Sequence, residues 1–323
     1  PSEYSFRTGQ SQTGRAGALL FSQFISSVVE GKTVQSLLDV GGNDLFVAKI
    51  VEARARCVID PVCAPDHGKM VDGVKILGQF IEDLDFKKEG LCPDLIVCRH
   101  VLEHVASPRK MVETLFQNCA PEALYVFEIP CFDNLIEANR WDAIFHQHYH
   151  YFDLATFKHL ILSAGGEYIA HRYNRQGGCG GSLLIAFRKS RFRSKQTSQF
   201  SPISDKKRHL KESFDHYRSQ MALLSYQLQK FSKNLYGYGA SLMLATLAYH
   251  LKTDFSELIC ILDDDEEKNG MGYQNVPVKI QHPKYCNITP ESNFLITSLE
   301  NVRKIYKKIN ESAPRRILIP LVS

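Results

Sequence analysis

Three short stretches of this sequence gather side chains able to do chemistry. The first runs Leu37, Leu38, Asp39, Val40, Gly41, Gly42, Asn43, Asp44, with Asp60 closing the next apolar run. Adjacent glycines let the backbone approach a ligand closely, and an acid after the following strand can accept hydrogen bonds from two ribose hydroxyls. The third glycine of a dinucleotide fingerprint would fall where Leu45 and Phe46 stand, and Asp39 would repel a phosphate while attracting a cation. The second stretch, residues 94–105, begins apolar and ends in Arg99, His100, Val101, Leu102, Glu103, His104. Such clusters at the carboxyl edge of a parallel sheet are where ligands bind. The third holds His146, Gln147, His148, His150 and Tyr151. Imidazoles suit it to proton transfer near neutral pH.

The elements that must position these side chains follow from periodicity. Leu20, Phe24 and Val28 recur at helical spacing and predict a helix over about 15–30 that Gly31 stops. Apolar runs at 34–40, 55–60, 74–79, 93–100 and 123–130 predict five strands, with helices at 44–53 and 107–120 between them. Strand and helix alternate, so the expected fold is α/β with a doubly wound parallel sheet. A helix at 154–166 and a strand ending at 180–187 complete this half. The polar run at 190–205 reads as a linker. A long helix from Lys206 follows, with Leu210, Phe214, Tyr217, Met221, Leu224, Leu228 and Phe231 as one apolar seam. A second alternating unit then runs through strands at 234–240, 257–265, 275–280, 293–298 and 315–321, with helices at 241–251 and 302–310. The expected division is a domain over 1–189, a linker over 190–204, and a smaller α/β domain with its long helix over 205–323.

Composition narrows the function classes. A net charge of +4, spread along 323 residues, lacks the basic face that nucleic acid demands. No apolar run approaches the roughly 20 residues that span a bilayer. The N-terminal residues have no apolar core of a signal peptide, so a cytoplasmic protein is expected. The nine cysteines are scattered without a C-x-x-C pair, which suits buried free thiols and gives no ground for a metal site. A small-molecule substrate is the expected partner, with monomer and homodimer both open.

Together the first two motifs resemble the class I S-adenosylmethionine-dependent methyltransferases, in which L-D-x-G precedes an acid and a later V-L-E-H. The resemblance implies a Rossmann-like cofactor domain. It assigns cofactor binding to Asp39, Gly41, Gly42, Asn43, Asp60, Arg99, His100, Glu103 and His104. Asp39 suits the cationic methionine end of S-adenosylmethionine, and His104 reads more as a fixture of its loop than as a chemical group. The third stretch narrows the likeness. Glu128 and Pro130, then residues 141–152, then Gly180, Gly181, Ser182 and Leu183, resemble the C-methyltransferases of nucleotide-linked ketosugars. Tyr236 to Ala240, then Asp263, Lys268, Gly270 and Pro277, look like that family's Rossmann-like C-terminal domain. That family ordinarily opens with a zinc-binding module, which the given sequence does not include.

The resemblance implies a mechanism in which a base removes a proton next to a keto group and the enolate takes the methyl group in line from sulfur. By position, His148 is the base, with His146, Gln147 and Tyr151 in the catalytic set. Tyr4, Phe145, Cys179, Ser182 and Tyr238 are the expected substrate contacts. Amides at the turn through Gly237, Gly239 and Ala240 could hold an anion at a helix start, or the glycines could serve tight strand–helix packing alone. Four positions depart from the family pattern. Phe145 stands for a tyrosine, Gln147 for a glutamate, Cys179 for a histidine and Leu184 for an arginine. An O- or N-methyltransferase for another small acceptor, or an inactive binding protein of the same fold, therefore stands beside the ketosugar reading.

Overall fold

Apolar runs too short for helices become the strands of the computed structural model, which describes Gly9 and residues 12–175, 180–191, 203–230 and 234–320. The chain divides into two compact units: Pro1–Asn134 with His146–Phe200, and Leu135–Phe145 with Ser201–Ser323.

The first unit opens with α1 (Gln12–Val29), β1 (Ser36–Val40), α2 (Phe46–Ile50), β2 (Ala55–Ile59), β3 (Met70–Val71), β4 (Val74–Leu77) and β5 (Leu95–Arg99). It continues through α3 (Pro108–Asn118), β6 (Leu124–Pro130), α4 (Phe132–Glu137, whose last three residues count with the second unit), α5 (Leu154–Ser163), β7 (Gly166–Asn174) and β8 (Ser182–Lys189). The 8-stranded sheet has the order β3-β4-β2-β1-β5-β6-β8-β7. Strands β4, β2, β1, β5 and β6 are parallel neighbours, and β8, β7 and β3 each pair antiparallel.

Alternation along the strands feeds two helical layers. Leu38, Val40, Ile59, Ile96 and Cys98 pack with Met111, Val112 and Leu115 of α3. Leu37, Val58, Leu95 and Val97 pack with Phe21, Phe24 and Ile25 of α1. Asp39 sits on the central strand, opposite Val58 and Val97 in register. The chain leaves β1 toward β2 on one side and returns to β5 on the other, so the carboxyl ends of β1 and β5 form the switch point of the sheet.

The second unit holds α6 (Ile203–Leu228), β9 (Leu235–Tyr238), α7 (Leu244–Leu251), β10 (Ile261–Leu262), β11 (Ile280–Gln281), β12 (Asn293–Ile296), α8 (Val302–Asn310) and β13 (Arg316–Leu318). Its 5-stranded sheet runs β11-β10-β9-β12-β13, all parallel. The predicted seam of α6 is buried at Tyr217, Met221, Leu224 and Leu228, against Trp141 and the residues of α7. Phe231 lies outside the described residues.

Several expectations shift. The helix expected at 44–53 is only α2, because Leu45 takes a left-handed backbone (φ 60°) and delays its start. β7 goes unforeseen: it is an edge strand whose side chains are mostly half-exposed, so it lacks a buried stripe. Leu135–Phe145 packs with the second unit, where Arg140 pairs with the fully buried Asp142 at 2.8 and 2.9 Å and Trp141 Nε1 donates to Ser213 Oγ at 3.0 Å. The expected linker falls mostly outside the described residues, and α6 begins at Ile203. No helix among the described residues is long and apolar enough to cross a membrane.

Candidate active site

At the end of β1 the chain must turn sharply over the sheet edge. Gly41 makes that turn with φ 83°, and a Cβ there would lie 2.2 Å from Val101 Cγ2 in the loop after β5. A Cβ on Gly42 would lie 2.4 Å from Asp39 Oδ2. Both glycines are thus required, one by backbone and contact, the other by the acid it covers. Asp39 is 2% exposed and its Oδ2 has no hydrogen-bond partner. Burial, reinforced by Asp44, pushes its carboxyl up to about 7. An orphaned carboxylate beside a glycine turn is the feature a cationic ligand group would satisfy, and it fits the sulfonium-bearing methionine end of S-adenosylmethionine. Asn43 lends its carbonyl to Cys63 Sγ at 3.5 Å, tying this turn to the loop after β2. Asp60, buried at the end of β2, accepts from the Val62 amide at 2.8 Å. Burial raises its pKa.

A charged network sits where β5 and β6 end. Arg99 pairs with Glu128, whose Oε1 also accepts from Ser182 Oγ at 2.5 Å. His100 lies between two acids, Nδ1 at 3.6 Å from Glu103 and Nε2 at 3.6 Å from Glu128. Its backbone is left-handed (φ 54°), a costly conformation for a side-chain-bearing residue, and its amide donates to the Glu128 carbonyl at 2.8 Å. Burial opposes charge on His100, yet the bonds to Glu103 and Glu128 prevail and raise it to about 9. Against the same burial, the His100 charge holds Glu128 down at about 2, and bonding to His100 lowers Glu103.

The histidine-rich stretch is pinned onto this network by its backbone. The amides of Tyr149 and His150 donate to the Glu103 carbonyl at 2.9 and 3.3 Å. His104 Nδ1 lies 2.8 Å from the Gln147 carbonyl, which can only accept, so that nitrogen carries the proton. His148 is 8% exposed, with its ring 4.8 Å from His104 and 5.8 Å from Tyr151. Burial lowers His148 to about 4, against the pull of Glu103, so its imidazole is neutral at pH 7.

The fold therefore brings Glu103, His104, His148 and Tyr151 to one place, with His100 and Ser182 bonded into the network beside them. The side chains of His146 and Gln147 are exposed. Tyr4 and Cys179 lie outside the described residues. Phe145 and Tyr238 belong to the second unit, where Tyr238 donates to Asp264 at 2.7 Å. Glu128 is the functional-network residue absent from the sequence-derived site set. Its signal is a lone acid inside an otherwise apolar strand, which requires buried cations to balance it.

One expectation is corrected in the second unit. Of the two readings of the turn after β9, an anion site and tight packing, the first is set aside: the Ala240 amide donates to Asp263 Oδ2 at 2.8 Å, and a Cβ on Gly239 would lie 2.4 Å from Ser298 Cβ. Lys268 balances that carboxylate at 3.2 Å, and α7 begins only at Leu244. An internal carboxylate already occupies the place of the anion.

Residues 16–171 match a protein-family model described as a methyltransferase domain. No curated protein matches the chain significantly. Among solved structures, the chain is similar to the N-methyltransferase NodS from Bradyrhizobium japonicum bound to S-adenosylhomocysteine, at 17% identity and TM-score 0.41 over 56% of this chain and 89% of that one. It is also similar to the plantazolicin methyltransferase BpumL with the same ligand, at 13% identity and TM-score 0.40 over 54% and 84%. A third is a putative methyltransferase of Haloferax volcanii in complex with Trm112, at 10% identity and TM-score 0.42 over 56% and 95%. These likenesses cover 54–56% of the chain and say nothing of its acceptor. With the family match extending over the glycine turn, the acid pair and the V-L-E-H loop, the chain carries an S-adenosylmethionine-dependent methyltransferase domain and is an enzyme of that kind.

Proposed function

We propose that the chain methylates a carbon next to a carbonyl, in a nucleotide-linked ketosugar or related carbohydrate precursor, by way of an enolate. The observation that carries this reading is His148, a neutral, buried imidazole held over the end of β5 beside a carboxylate and a second imidazole. A neutral imidazole accepts a proton, and a site with little water access keeps an enolate from being quenched. Proton removal falls to the His146–His148 pair, and Tyr151, packed against His148, orients the acceptor. Gly41 and Gly42 admit the cofactor to the sheet edge, Asp39 faces its cationic end and Asp60 its ribose. Bound there, the cofactor supplies an electrophilic methyl group on sulfur.

A second reading, O- or N-methyl transfer to another small acceptor, is favoured by Leu184. That position carries an arginine in the resembled family, but here it is fully buried in the core and can contact no phosphate. An inactive binding protein is the third. Deuterium exchange separates them: with S-adenosylhomocysteine bound, a nucleotide 4-ketosugar in D₂O should lose its proton next to the carbonyl, and His148→Ala should stop that loss while cofactor binding persists. Exchange-free methylation of another acceptor would establish the second reading, and cofactor binding without either activity the third.

A further inference from the structure

Glu103, His104 and His148 converge in a way that acid–base work does not require. Each offers one ligand atom, and the three atoms lie within 4.8 Å of one another. Ligand atoms about 2.1 Å from a common ion stand at most about 4.2 Å apart, so small side-chain adjustments would close the set. Glu103 is 2% exposed, and its Oε2 has no hydrogen-bond partner. A buried carboxylate oxygen without a donor is unfavourable unless something cationic completes it. The Gln147 carbonyl holds the proton of His104 on Nδ1, which turns the Nε2 lone pair toward Glu103, 4.0 Å from its Oε1. A backbone carbonyl fixing the far nitrogen of a ligating histidine is the usual outer support of a metal site. The two loops that carry the ligands are joined by the Tyr149 and His150 amides on the Glu103 carbonyl, so the set is positioned before any ligand arrives.

We infer that Glu103, His104 and His148 bind one divalent transition-metal ion, of the manganese, iron, cobalt or zinc class. Two imidazoles and one carboxylate on one side of an ion suit those metals and leave further positions open. The part the ion would play rests on the proposed function: as a Lewis acid it would supply positive charge near the acceptor's carbonyl oxygen, where the enolate develops negative charge. Without the ion His148 is the base; with it, His148 would serve as a ligand and the proton would pass to an imidazole nitrogen of His146, the other member of the pair. The C–H bond breaks toward that nitrogen, its electron pair forms the enolate, and the enolate carbon takes the methyl group as the C–S pair returns to sulfur.

The test is titration of the full chain with Co²⁺, read by visible absorption and by bound metal after gel filtration. The expected result is one Co²⁺ per chain with a d–d band characteristic of nitrogen and oxygen ligands. His104→Ala and His148→Ala should each weaken binding at least tenfold, while S-adenosylhomocysteine affinity, measured on the same samples, reports that the domain is folded. His282→Ala, in the second unit, should change nothing. Wild-type protein that binds S-adenosylhomocysteine but no stoichiometric Co²⁺, or Co²⁺ binding unaltered in both histidine variants, overturns the site. Failure of the ketosugar reading looks different: Co²⁺ is bound as described, yet no proton exchange or methyl transfer to any ketosugar follows.

Discussion

Asp39 links the cofactor turn to pH. Its buried carboxyl titrates at about 7, so the group is largely protonated at pH 6 and ionised at pH 8. A raised acid pKa means the folded state holds this proton more tightly than the unfolded chain. Its contribution to stability therefore falls as pH rises from the ordinary carboxylate range to about 7, and is level above that. Binding of a cationic ligand runs the other way, because the ligand favours the ionised form. S-adenosylmethionine affinity should rise about tenfold between pH 6 and 8 and plateau beyond, as calorimetry at several pH values would record. Asp39→Asn should flatten that profile and weaken binding roughly tenfold. An unchanged profile in the variant would remove Asp39 from the cofactor site. Gly42→Ala tests the same turn sterically. Its methyl group would meet Asp39 Oδ2 at 2.4 Å and must displace the acid, so cofactor binding should fall by at least tenfold with the circular dichroism of the fold preserved.

At the scale of elements, the stretch between β6 and α5 shows how burial rather than sequence order decides allegiance. Leu135–Phe145 belongs to the second unit, and the buried Arg140–Asp142 pair lies within it. Asp142→Asn keeps the shape but removes the charge that Arg140, 7% exposed, meets at 2.8 and 2.9 Å. Removing one partner of a buried ion pair costs about 3–5 kcal/mol, which denaturant unfolding should register; a loss under about 1 kcal/mol would place the pair in effectively solvated surroundings. The sequence announces little of this, since the stretch has no helical or strand period and its polar residues read as a loop. By contrast β1, β2, β5 and β6 were legible because strands buried on both faces write unbroken apolar runs. Edge strand β7 wrote none, while the runs read as strands at 257–265 and 275–280 shrink to the two-residue β10 and β11. The site was legible in its glycines, acids and histidines, whose types declare their chemistry. What stayed hidden was partnership: that Glu128 bridges Arg99, His100 and Ser182, and that Asp263 fills the turn at Ala240, are facts of three-dimensional neighbourhood that spacing along the chain does not carry.

For the whole molecule, the division into two units sets what a ligand can stabilise. The glycine turn, Asp39, Asp60 and the V-L-E-H loop all lie in the first unit, whereas the corresponding turn of the second unit is closed by its own Asp263 and Lys268. A ligand that binds only folded protein adds about 2.7 kcal/mol at a free concentration 100 times its dissociation constant. S-adenosylhomocysteine should therefore protect the first unit by about that amount and leave the second as it was. Hydrogen exchange read by mass spectrometry separates the two contributions: amides of β1, β5 and β6 should slow by about two orders of magnitude if they exchange only when their unit unfolds, while those of β9 and β12 keep their rates. Equal slowing in both sheets would show that the units unfold together, and slowing confined to β9 and β12 would move the cofactor to the second unit. The same measurement repeated with a nucleoside diphosphate in place of the cofactor asks whether the second unit takes any part in acceptor binding. Protection of β9 there would require Asp263 to leave the Ala240 amide, and Asp263→Asn, which removes the internal negative charge, should then strengthen it.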